Sequence, residues 1–179
     1  MSTGEILDVD MGNPAGRSAV YRALAEAFTY AGARDGPFRI DGADYNDAFD
    51  PSIRDAACSL REGAHIEDDA SGLFEELMRF YTFFGLEREE GAEMPDHLSV
   101  ELEFMHYLTH LESQVADRPD DLASVRLAQH DFIERHLSRL VNALCGKLDS
   151  PSTACVALVE TCAAFIGAER ARAKEYAPA

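Results

Sequence analysis

One stretch, MPDHLSVELEFMHYLTHLE (Met94 to Glu112), limits what this chain can fold into more than any other. At about 100° per residue, Leu98, Val100, Leu102, Phe104, Met105, Tyr107, Leu108 and Leu111 fill more than half of a helical circumference. Ser99, Glu103, His106 and His110 fall on the opposite side. A helix apolar over so wide an arc has to be buried among neighbours. The same arc also holds His97 and Glu101, about 40° apart. A buried, unpaired charge costs several kcal/mol, on the order of the whole stability of a small domain. The two side chains therefore pair with each other at four-residue spacing, pair elsewhere, or line a groove open to water. A purely structural ion pair is the plain alternative to a groove.

The rest of the chain repeats the helical period and shows no strand alternation. Arg17 to Tyr30 carries Val20, Tyr21, Leu24, Ala25 and Phe28 on one stripe. The stretch GARDGPFRIDGADYND is rich in Gly and Asp and reads as loop. Asp50 and Pro51 have the form of an N-cap and first helical residue for a helix ending at Gly63. A third helix starts near Ser71 and runs through LFEELMRFYTFFGL, with Gly85 placed as its C′ residue and Leu86 folding back. Asp96 is the expected N-cap of the fourth helix. After DRPDD a long helix covers Asp121 to Lys147, and Ser150 and Pro151 cap a last one. Residues 1–15 read as a flexible tail and 16–179 as a single domain. The expectation is an all-α bundle of about six helices.

Composition narrows the partners. Lys+Arg 16 against Asp+Glu 33 leaves a net charge of −17, which argues against nucleic-acid backbones and anionic membranes. It suits a basic partner, or simply solubility. Cys58, Cys145, Cys155 and Cys162 form no C-x-x-C pair and read as reduced, buried thiols. The N-terminus lacks the basic and apolar regions of a signal peptide. No apolar run reaches the roughly 18 residues of a membrane span.

Chemistry-bearing motifs are scarce. Glu103-x-x-His106 has the spacing of carboxylate-bridged di-iron bundles, which need a second Glu-x-x-His and two further inward glutamates. Glu103, His106 and His110 share the polar face, where a solvated surface explains them better than a metal. No Gly-rich phosphate loop, His-Glu-x-x-His or Gly-x-Ser-x-Gly occurs. The expectation is a non-enzyme with no cofactor and no metal.

The string PDHLSVELEFMHYL resembles the Pro-Asp-His motif and following helix of the TorD/DmsD/NarJ family, cytoplasmic maturation chaperones of molybdenum oxidoreductases. YRALAEAF is similar to the family's first helix. FYTFFGL is similar to its aromatic segment before the motif loop, and DFIERHLSRLVNAL to its late helix with a His-Leu pair, here His136 and Leu137. The resemblance implies an all-helical fold without catalysis, acting in the cytoplasm as a monomer or weak dimer. It implies binding of a catalytic subunit of the dimethyl sulfoxide reductase type, often at a twin-arginine signal peptide, while the molybdopterin cofactor is inserted. It also implies that Asp96 and His97 bind peptide and that Pro95 shapes the turn. The chain departs from some relatives in having no Trp.

A twin-arginine segment is a basic patch followed by an apolar run, so its groove needs acidic groups beside apolar walls. Asp96, Glu101 and the EREEGAE loop offer charge, and Phe84, Leu86 and Leu98 offer wall. In this reading Glu101 holds His97 and Asp96 meets a peptide donor. Two rival readings stand beside it. One is a small helical metal-binding protein or enzyme using His106 and His110. The other is an acidic adaptor bundle for a folded basic partner.

Overall fold

The computed structural model describes residues 3–66 and 70–177. The elements are α1 (Thr3–Leu7), α2 (Pro14–Ala27), α3 (Tyr30–Asp35), α4 (Gly42–Phe49), α5 (Ala70–Phe83), α6 (Leu98–Gln114), α7 (Pro119–Phe132), α8 (Ser138–Lys147) and α9 (Thr153–Ala173). A π-helical turn, Ile133–Leu137, joins α7 to α8 into one long helix, as the expected Asp121–Lys147 segment requires. Among the described residues there is no strand, only an isolated antiparallel bridge between Arg61 and His97. The all-α single domain holds.

The packing follows from the apolar stripes. Val20, Tyr21, Leu24, Ala25 and Phe28 are buried, and α2 lies along α6. Asn13 begins α2: its side chain accepts from the Ala15 and Gly16 N–H groups, and Pro14 takes the first helical position, where no N–H is required. Leu102, Met105 and Leu108 of α6 are fully buried against this stripe and against α7 and the π turn. Gly85, at φ +75°, ends α5 as expected, with the Leu86 N–H donating to the Tyr81 carbonyl.

Four local expectations need correction. The predicted loop holds two short helices, begun by Thr29 and Asp41, whose side chains accept from the Gly32 and Ala43 N–H groups. Gly32 comes so close to the Glu26 carbonyl that a Cβ would lie 1.9 Å from that oxygen. The predicted 50–63 helix does not form. Asp50 does accept from the Ser52 N–H at 2.8 Å, but only turns follow it. Cys58 N–H donates instead to Ala48 O, and the chain from Leu60 is drawn alongside residues 96–98. Residues 1 and 2 of the expected tail lie outside the described residues. Residues 3–7 form α1 against α9, with Ile6 in the core. Finally, Cys58, Cys155 and Cys162 are buried thiols, but Cys145 is exposed.

Candidate functional site

The groove lies where the 60–64 segment, the turn before α6 and the start of α6 meet. Two backbone hydrogen bonds join the first two: Leu98 N–H to Leu60 O and Glu62 N–H to Asp96 O, both 2.8 Å. Tyr81 reaches from α5 and donates its hydroxyl to Pro95 O at 2.8 Å. The turn is thus held from both sides.

This arrangement moves the helix cap. Asp96 is fully buried, and its carboxylate accepts from Arg61 Nε at 3.0 Å and Gly63 N–H at 3.1 Å. It is neither the N-cap of α6 nor a free acceptor for a peptide. His97 is the N-cap: its Nδ1 accepts from the Ser99 N–H at 3.2 Å and lies 2.8 Å from Ser99 Oγ. Burial lowers the His97 pKa, against the opposing charges of Glu93 and Asp96, so the ring is neutral and able to accept.

Glu101 does not hold His97. It is fully buried and faces Glu62, and among the described residues neither of its oxygens meets a donor. Burial, then the charges of Glu62 and Asp96, push its carboxyl well above the ordinary range. Glu62 is buried too, and its Oε2 lies 3.0 Å from Nδ1 of the buried His136. His136 sits in the π turn, which aims it across the core at Glu62. Its Nε2 is 3.2 Å from Glu76 Oε1 but out of line for a hydrogen bond.

Two cavities flank Ser99, Thr29 and Glu93, which line both. The first, about 590 Å³, has an apolar floor from Met78, Tyr81, Leu86, Val100, Phe104 and Tyr107. Its rim carries Glu87, Glu89, Glu93 and Glu103 with a single Arg88, and Pro95 closes one side. The second, about 500 Å³, is walled by Phe28, Tyr30, Tyr45 and Phe49, with Arg61 and His97 at the shared end.

Of the residues singled out in the sequence, Pro95, Leu86 and His97 therefore line the groove. Asp96 and Glu101 lie beneath it. Leu98 is fully buried in the core and offers no wall. Phe84 is half-buried, in edge-to-face contact with Phe83 and Phe104, and lines neither cavity. Sequence reasoning missed Arg61, Glu62, Tyr81 and the aromatic wall from α4. Nothing local marks Glu62, whose partner His136 is 74 residues away.

His106 is not on a free polar face. It packs half-buried against α2, with Nδ1 2.9 Å from Ser18 O and 2.8 Å from Ser18 Oγ. Among the described residues, no group of three or more His, Cys, Asp or Glu is arranged to hold a metal ion. Among them, too, no helix is long and apolar enough to cross a membrane.

The profile of a family described as nitrate reductase delta subunit matches residues 13–146. The chain belongs to that family. The TorD/DmsD/NarJ resemblance of the Pro-Asp-His stretch therefore holds. The chain is 32% identical to the selenate reductase assembly chaperone protein of Thauera selenatis, over 93% of this chain and 94% of that one. It is 29% identical to the chlorate reductase assembly chaperone protein of Ideonella dechloratans, over 79% and 81% of the two chains. With the perchlorate reductase assembly chaperone protein of Dechloromonas aromatica it shares 39% identity, over 50% of this chain and 41% of the other. These likenesses favour the chaperone reading over a metalloprotein or an adaptor.

Proposed function

We propose that this protein is a cytoplasmic assembly chaperone that binds the catalytic subunit of a molybdopterin-containing oxidoreductase and holds it during cofactor insertion and before export. The observation that carries this is the near full-length likeness to a selenate reductase assembly chaperone. The groove agrees with it. An apolar floor under an acidic rim suits a client segment that pairs arginines with an apolar run, such as a twin-arginine signal peptide. The chain binds and releases, and carries out no bond chemistry of its own.

Affinity purification from the native host is the first test, with the molybdoenzyme large subunit expected as the main captured protein. Calorimetric titration with that subunit's leader peptide is the second. Replacing the peptide's two arginines with alanine should weaken binding, and so should added salt, because exposed charge attraction is screened beyond about 8 Å at physiological ionic strength. Capture of the large subunit with no response to the arginines would keep the chaperone and reject the signal peptide as its ligand.

A further inference from the structure

Beneath the groove, three buried carboxyl oxygens lack a donor among the described residues: both of Glu101 and Oε1 of Glu62. Four nearby donors are committed elsewhere. Arg61 Nε and Gly63 N–H serve Asp96, Tyr81 donates to Pro95 O, and His136 Nδ1 faces Glu62 Oε2. The charged and titratable groups around Glu101 are thus Glu62 and Arg61 from the 60–64 segment, Asp96 and His97 from the turn, Tyr81 from α5 and His136 from the π turn. Behind His136 stand Glu76 and Arg135, themselves paired. Two ionised carboxylates facing each other in this setting would repel, with little solvent to screen them. One proton removes the repulsion and supplies the missing donor.

We propose that Glu101 is a positioning residue that works as the neutral acid. It donates a hydrogen bond to Glu62 Oε1, and this shared proton fastens the 60–63 segment in the shape that the groove needs. The route to the groove is short. Glu62 N–H holds Asp96 O, and Gly63 N–H holds the Asp96 carboxylate. The Asp96 carbonyl and side chain set the turn from Pro95 to His97, and Pro95 and His97 line the two cavities. Loss of the proton would push Glu62 off Glu101 and draw the turn with it.

The first test uses the unaltered protein and needs no client. Infrared spectra at pH 8, where exposed carboxyls are ionised, should show a protonated-carboxyl C=O band above the amide region that shifts in deuterated water. Its absence would overturn the proposal. In Glu101→Gln the band should vanish while the fold is kept, because a neutral amide can also donate to Glu62. A band that persists, or a variant that fails to fold, would overturn it equally. The consequence for the client rests on the groove reading above, and the infrared test does not, so the two can fail separately. At the pH where the band disappears, the wild type should lose at least about tenfold in affinity for the arginine-pair peptide, while Glu101→Gln keeps its affinity. Equal loss in both proteins would refute the positioning role.

Discussion

Two polar clusters are buried in this small helical protein, and they are built on opposite plans. At one end Arg17 is 1% exposed and reaches Glu112, Glu169 and Gln129, while Arg126 and Arg172 complete the set. Positive and negative groups alternate, and α2, α6, α7 and α9 each supply a member. At the other end Glu62, Asp96 and Glu101 crowd together, with one arginine at the edge and one histidine behind. The first cluster has a counter-charge for each carboxylate. The second is short of cations and lies under the groove. Buried charge that is matched ties helices together, whereas buried acid that is unmatched has to carry protons and so responds to its surroundings.

The largest effect should come from breaking the matched cluster. Arg17→Met would strand Glu112 and Glu169 in the core and cost about 3–5 kcal/mol, read as the shift of a urea midpoint. Next comes the acid-rich end. Asp96→Ala removes the acceptor of Arg61 and Gly63 and should cost about 1.5–3 kcal/mol, with client binding weakened because the turn loosens. Unchanged stability in Asp96→Ala would mean that the two clusters are not equally structural.

Protons should pull the two ends in opposite directions. Burial alone would raise the pKa of Glu112, but the charge of Arg17 and hydrogen bonds from Gln129, Arg126 and Arg17 hold it below the ordinary range. Its contribution is present above the ordinary carboxyl pKa of about 4.3 and is lost as pH falls through the lower folded value. Glu101 is the reverse: its contribution is full below about pH 4.3 and is lost as pH rises towards its elevated folded value. The stability difference between wild type and Glu101→Gln should therefore slope by up to about 1.4 kcal/mol per pH unit between those two values. Parallel curves would show that Glu101 is ionised throughout. The smallest effect belongs to the helix cap. His97→Ala should cost about 1 kcal/mol of stability and remove a groove wall, so melting and titration together separate its two roles.

The helices were legible in the sequence because apolar spacing is local. Val20, Tyr21 and Leu24 announce their stripe without knowing what they will meet, and Gly85 announces its turn. The site was legible only where it repeats a local rule. Pro95 and His97 could be placed near a helix start, but which residue caps α6 depends on Arg61 and Gly63 capturing Asp96 from 35 and 33 positions away. The same distance in sequence hid the true neighbour of Glu101. Four-residue spacing offered His97, while the fold supplies Glu62. Asp50 and Pro51 misled for a related reason: a correct local start signal was overridden when Cys58 and Leu60 were drawn into backbone pairing.

The π turn at Ile133–Leu137 has a consequence for insertions and deletions. Such a turn is an α-helix carrying one surplus residue. Here the surplus lets Phe132, Ile133, His136 and Leu137 all point inward. Deleting any one residue of that turn would suit the backbone, which would then run as plain α-helix. Five residues of π turn wind about as far as four of α-helix, so the helices on either side would keep their phase. Leu140, Val141 and Leu144 would stay in the core they now fill. What the deletion would remove is the extra inward position, and with it the aim of His136 at Glu62. A shortened turn should therefore keep the fold and lose that buried contact.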